Sequence, residues 1–227
     1  MNLTRPRDDG AELDTRRRLR TVAKATALGG APLFLLGVLL HPARDGAGIA
    51  AAGQIYGITH GLQAIGLLLM AVGLASAYAL GAARFGRRGP SAFLAAMVGT
   101  LLWFGLIVLD GTRNPVTAKY APGLVHTPAD LDAGSAIISL PALLAFPIGY
   151  LLLARLLTRH GTRWPGLLVG IGAVLYWSAA IPLFAVGPQS PVIQLLEVAG
   201  AVPYALGFVL LGLRWGQAEQ LDHPTCS

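Results

Sequence analysis

WPGLLVGIGAVLYWSAAIPLFAVGPQSPVIQLL, running from Trp164 to Leu196, is the stretch on which the fold turns. No charged side chain occurs in it. About 20 apolar residues suffice for a helix to cross the ~30 Å hydrocarbon core of a bilayer. The stretch is therefore too long for one crossing and the right length for a helical hairpin. Gly187-Pro188-Gln189-Ser190-Pro191 supplies the turn, so the spacing predicts spans at 165–187 and 191–213. Helices are the element of choice because lipid offers no partners to backbone N–H and C=O groups.

The same pattern extends outward. No charge occurs from Gly46 to Ala83, and apolar runs at 23–41, 60–82, 91–110 and 134–155 bring the spans to six. Composition agrees. Of the 227 residues, 54% are apolar and only 12% charged, and mean hydropathy is +0.61. A soluble domain carries about 25% charge. The predicted fold class is all-α, a polytopic transmembrane bundle of about six helices.

The net charge of +6 does not point to nucleic acid, because the basic residues flank apolar segments. Seven of the 17 precede or open the first span (Arg5, Arg7, Arg16, Arg17, Arg18, Arg20, Lys24). Together with Arg84, Arg87, Arg88, Arg155, Arg159, Arg163 and Arg214 they put 14 on one side. Arg44, Arg113 and Lys119 fall on the other. The positive-inside rule then predicts cytoplasmic N- and C-termini and a multi-pass place in the cell membrane. The expected organisation is a disordered basic cytoplasmic tail at 1–21, a transmembrane domain at 22–215 and a cytoplasmic tail at 216–227. Arg16-Arg17-Arg18 ahead of an apolar run superficially resembles a twin-arginine export signal, but an uncleaved first helix accounts for the same residues. Cys226 is the one cysteine, which excludes an internal disulfide and CxxC chemistry.

Gly53, Gly57 and Gly61 form a GxxxGxxxG run, and Gly166 with Gly170 a second pair, the spacing that lets membrane helices approach closely. Pro32, Pro141, Pro147, Pro182 and Pro203 fall inside spans and predict kinks.

The ionisable residues of the spans lie away from the basic side. At 1.5 Å per residue, His41 stands roughly 26 Å beyond Lys24, and Glu197 stands as far from Arg214. Asp110 lies roughly 33 Å from Arg88, and His60 roughly 36 Å from Arg84. Four helices thus contribute to one polar layer near the outer face. A carboxylate in a span is costly and marks a functional candidate. Glu197 is the first such candidate, sharing a helical face with Gln194 and Tyr204. Its plain alternative is to snorkel into water or bond a neighbour. Asp110 either partners Glu197 in chemistry or pairs with Arg113 and caps a turn, and Trp103 lies on its face. His41 and His60 bracket the first outer loop, 42–59. They could position substrate, or hold a haem or divalent metal with His126, Asp110 or Glu197. Asp130 and Asp132 suit the dipole at the start of the fourth span. Tyr176, Trp177, Tyr204 and Phe208 could line an apolar pocket.

No GxxxxGK[ST], HExxH, GxSxG or paired-Cys motif occurs. The run Gly37-Val-Leu-Leu-His41-Pro42, the opening His60-Gly-Leu and the acidic Asp110 resemble a widespread group of uncharacterised bacterial six-helix integral membrane proteins. That resemblance implies six helices over about residues 25–215 and assigns no activity. A looser analogy is to the integral-membrane terpene cyclases. It rests on size, helix number and the acids Glu197 and Asp110.

The function expected from these residues is a membrane-embedded enzyme acting on a lipophilic isoprenoid or lipid substrate, such as a cyclase or isomerase. Glu197 and Asp110 would be the acid–base groups. His41, His60, Gln194, Trp103 and Tyr204 would bind substrate, with no cofactor required. Two functions of other classes stay open: a haem- or metal-binding subunit with His41 and His60 as ligands, and a non-catalytic partner or permease. The expected partners are the lipid bilayer and a lipophilic small molecule, not nucleic acid.

Overall fold

The computed structural model describes residues 9–125 and 133–217. Six long helices dominate: α1 (Asp9–Leu39), α3 (Gln54–Phe85), α4 (Gly89–Tyr120), α5 (Ala133–Arg159), α6 (Arg163–Ser178) and α8 (Pro191–Gln217). Two short ones, α2 (Gly46–Ala52) and α7 (Ala180–Ala185), lie between them. Six segments, α7 extending the one built on α6, are long and apolar enough to cross a membrane, which is the architecture of a multi-pass membrane protein.

Each long helix packs on the next in sequence, and α8 returns to pack on α1, so the six form a closed ring. The outward faces are apolar. Ile58, Ile65, Leu94, Leu151, Ile171 and Leu206 are all exposed, the arrangement lipid demands and water forbids. Inside the ring, Phe34, Phe146, Tyr150, Tyr204 and Phe208 are fully buried and pack edge to face. Tyr204 donates its hydroxyl hydrogen to the Tyr150 oxygen at 2.5 Å, and Tyr150 shares a hydrogen with Thr100 at 2.6 Å. This aromatic plug fills the half of the ring nearer the basic turns. There Arg214 donates to the Gly161 carbonyl at 2.9 Å and ties the end of α8 to the α5–α6 turn.

Close packing rests on other glycines than those of the GxxxGxxxG run. Gly53 is the turn between α2 and α3, at φ +54°, and a Cβ on Gly61 would meet nothing within 4 Å. The tight crossings are Gly30 against Gly66 between α1 and α3, and Gly172 against Gly200 between α6 and α8, where a Cβ would come within 2.7 Å of the facing carbonyl oxygen. Gly166 and Gly170 do lie against Leu157 and Ala154 of α5.

Several boundaries differ from expectation. The N-terminal segment is helical from Asp9 rather than unstructured to 21, supported by the i,i+4 pairs Glu12–Arg16 at 3.0 Å and Asp14–Arg18 at 2.8 Å. Of the prolines inside spans, Pro182 coincides with a break. It has no N–H to offer the Ser178 carbonyl, and α6 ends at that residue. The outer loops are largely helical. In the first, Asp45 caps α2 by accepting from the Gly48 N–H at 2.6 Å. In the second, α4 continues ten residues past Asp110 to Tyr120. Ile49, Tyr56, Ala118 and Val125 form a small core that packs α2 onto this extension. The predicted residues His126, Asp130, Asp132 and Cys226 lie outside the described residues.

Candidate functional site

Above the aromatic plug, at the end of the ring away from the basic turns, lies a cavity of about 220 Å³. One wall is polar: His41, Arg44, His60, Asp110, Arg113 and Glu197. The other is apolar, with Trp103, Leu106, Ile107, Leu143, Leu183 and Phe184. The break between α6 and α7 shapes that wall, since Ala179, Ala180, Leu183 and Phe184 all face the cavity. A second cavity of about 640 Å³ lies against the 42–45 and 188–190 loops. His41 and Arg44 line both cavities and form the partition.

Two polar clusters make the wall. In the first, Arg44 pairs with Glu197 and donates to the Gln194 side-chain oxygen at 3.1 Å. Gln194 in turn donates to the Val38 carbonyl at 3.4 Å. Arg44 reaches Glu197 from a loop 153 residues away in sequence. A carboxylate held this way is a fixed counter-charge to Arg44 rather than a solitary buried acid. In the second, Asp110 accepts from the Tyr56 hydroxyl at 2.8 Å and from the Asn114 side-chain amide. It also meets Nε2 of His60 at 3.1 Å. Gly111 makes the contact possible, because a Cβ there would fall on the Cβ of His60. His60 and His41 pack edge to face at 4.7 Å between ring centroids, with Nε2 atoms 3.4 Å apart. Burial, with Arg44 and His60 beside it, holds His41 well below the usual histidine range.

The floor is Tyr176, which donates to Gln63 Oε1 at 2.9 Å, and Trp103, stacked on Phe146 at 5.0 Å. Gln63 is itself anchored by donating to the Gly37 carbonyl at 3.3 Å. The Trp103 indole N–H is buried and makes no hydrogen bond among the described residues.

Glu197, Asp110, His41, His60 and Trp103, singled out from the sequence, all line the one cavity. Gln194 lines the second cavity and reaches the first only through Arg44. Tyr204 is not at the site. Seven residues along α8 carry it roughly 10 Å toward the basic end, where its hydroxyl belongs to Tyr150. Tyr204→Phe should therefore leave any activity unchanged and cost about 1 kcal/mol of stability in a denaturant titration. Arg44, Tyr56, Gln63, Arg113 and Asn114 were not singled out. Tyr56 and Gln63 lie four before and three after His60, and Asn114 four after Asp110, so helical spacing from the two chosen residues would have found them. Arg44 carried no such signal. Its loop position looked like that of any outer basic residue.

His41 and His60 in ring contact leave no slot for a haem between them. Among the described residues no three His, Cys, Asp or Glu side chains are already spaced around one metal position. No family model matches the chain, and no curated protein and no solved structure is similar enough to it to count as a match.

Proposed function

We propose that this chain is a membrane-embedded enzyme that acts by acid–base chemistry on a lipophilic substrate of the isoprenoid or lipid class. One observation carries the proposal. A single cavity has an apolar wall suited to a hydrocarbon and a polar wall to which α1's outer loop, α3, α4 and α8 contribute ionisable groups. Buried polar groups gathered at an apolar pocket are what such chemistry needs. The volume seats the reacting end of a lipid, not a whole acyl chain.

The roles shift from the sequence expectation. Glu197, neutralised by Arg44, sets the charge of the wall. Asp110 becomes the principal acid–base group, held by Tyr56 and Asn114 and coupled to His60. The permease alternative finds less support, because the aromatic plug fills the ring below the cavity. By the positive-inside rule both termini are cytoplasmic and the cavity faces the outer side of the cell membrane.

The test is a comparison of lipid extracts from cells expressing the wild type or Asp110→Asn at equal levels. The expected result is a lipophilic product made by the wild type and reduced by about 10²–10⁴-fold in the variant, the usual worth of a general acid or base. Identical extracts from both, or full activity in Asp110→Asn, would overturn the proposal.

A further inference from the structure

His41 and His60 turn the same kind of nitrogen toward each other. Nδ1 of His41 lies 2.7 Å from the Pro42 carbonyl oxygen, and Nδ1 of His60 lies 2.8 Å from the Tyr56 carbonyl oxygen. A carbonyl oxygen only accepts, so each Nδ1 carries its ring's hydrogen. A neutral imidazole has a single N–H, which leaves both Nε2 atoms as bare lone pairs. Those two atoms stand 3.4 Å apart, and Oδ2 of Asp110 stands 3.1 Å from that of His60. Three electron-rich atoms gather in a site where His60 is only 3% exposed, so their repulsion is poorly screened. A positive charge among them resolves the arrangement.

The dimensions suit a metal. Two imidazole nitrogens bound to a tetrahedral ion at about 2.0–2.1 Å lie about 3.3 Å from each other. Backbone carbonyls on the far ring nitrogens are the outer partners that orient metal-binding histidines. The Tyr56 hydroxyl and Asn114 amide orient Asp110 in the same manner. Borderline divalent ions favour imidazole with carboxylate. We propose that His41 and His60 bind a divalent transition-metal ion of the zinc class, with Asp110 as third ligand and the fourth position open to the cavity. Asp110 completes the set by turning from His60 toward the gap between the rings. An ion there would polarise a substrate oxygen entering the cavity. The site itself does not depend on the enzyme proposal, because binding is measured without substrate.

The experiment uses the full chain, purified in detergent with a histidine-free tag, stripped with chelator and titrated with Co²⁺. The expected result is visible d–d absorption saturating at one equivalent, displaced by Zn²⁺. It should be lost in His41→Ala and in His60→Ala and kept in Glu197→Gln. His41 lies outside the helices, so His41→Ala should retain the wild-type elution profile and melting temperature. If the folded wild type binds no stoichiometric Co²⁺, the proposal fails and a proton shared between His60 and Asp110 supplies the charge instead. Unchanged binding in both histidine variants would also overturn it, as binding elsewhere on the chain. A chain that binds the ion but yields no lipid product would sink the enzyme proposal and leave this one standing.

Discussion

Arg44→Ala lowers the stability of the detergent-solubilised chain by about 3–5 kcal/mol, the cost of leaving one member of a buried ion pair without its partner. The side chains of Arg44 and Glu197 keep only 10% and 15% of their exposure. The truncation also removes the donor to Gln194 and loosens the loop that separates the two cavities. Glu197 sits on α8 among apolar neighbours, where a lone carboxylate is expensive. The double variant Arg44→Ala/Glu197→Ala discriminates the cause. It should lose less than the sum of the two single changes, since nothing charged is then stranded. Denaturant unfolding followed by helical circular dichroism measures all four species. A loss below about 1 kcal/mol in Arg44→Ala would place the pair with solvated surface bridges. It would remove the reason for treating Glu197 as a fixed counter-charge.

Gly200→Ala should do more damage than its single methyl suggests, and Gly61→Ala almost none. A Cβ on Gly200 falls against the backbone of Tyr176 and within 2.7 Å of the Gly172 carbonyl oxygen. Overpacking costs about 1–3 kcal/mol where side chains can yield. Here the obstacle is another helix's backbone, so α6 and α8 must separate and the loss exceeds that range. Separation also breaks the edge contacts of Phe34 with Tyr176 and Tyr204, which draw on α1, α6 and α8 together. At Gly61 a Cβ meets nothing within 4 Å. Replacing that helical glycine should be neutral or stabilising by about 0.5–1 kcal/mol. Elution profile and melting temperature of the two variants, side by side, test the assignment of the closing interface. Equal behaviour would mean that the ring does not close at Gly172 and Gly200.

The polar wall was partly legible before any coordinates. His41, His60, Asp110 and Glu197 could be assigned one depth because position along a membrane helix is linear in residue number. Trp103 followed from sharing a helical face with Asp110. The same logic misplaced Tyr204. It does share the inward stripe of Glu197, but a stripe runs the length of α8 and passes from the cavity into the plug. Facing inward is a property of angle, and membership of a site also requires depth.

Glycine spacing shows the same limit. The regular Gly53, Gly57, Gly61 run marks a turn and two loosely packed positions. The working contacts, Gly30 with Gly66 and Gly172 with Gly200, join different helices and form no motif within either. Nothing local distinguishes a glycine that another backbone touches from one that faces open space.

By itself the sequence determined the number of spans, their alternation, the gathering of basic residues at one end and of ionisable residues toward the other. All of these follow from hydropathy and a fixed rise per residue, and both are properties of one helix at a time. Tertiary structure decided the partners. It closed the ring through α1 and α8, brought Arg44 from a loop onto Glu197, gave Asp110 to Tyr56, His60 and Asn114, and turned two imidazole lone pairs toward each other. Those pairings depend on the rotation of each helix about its own axis and on which helices are neighbours. Both are fixed by the packing of all six together.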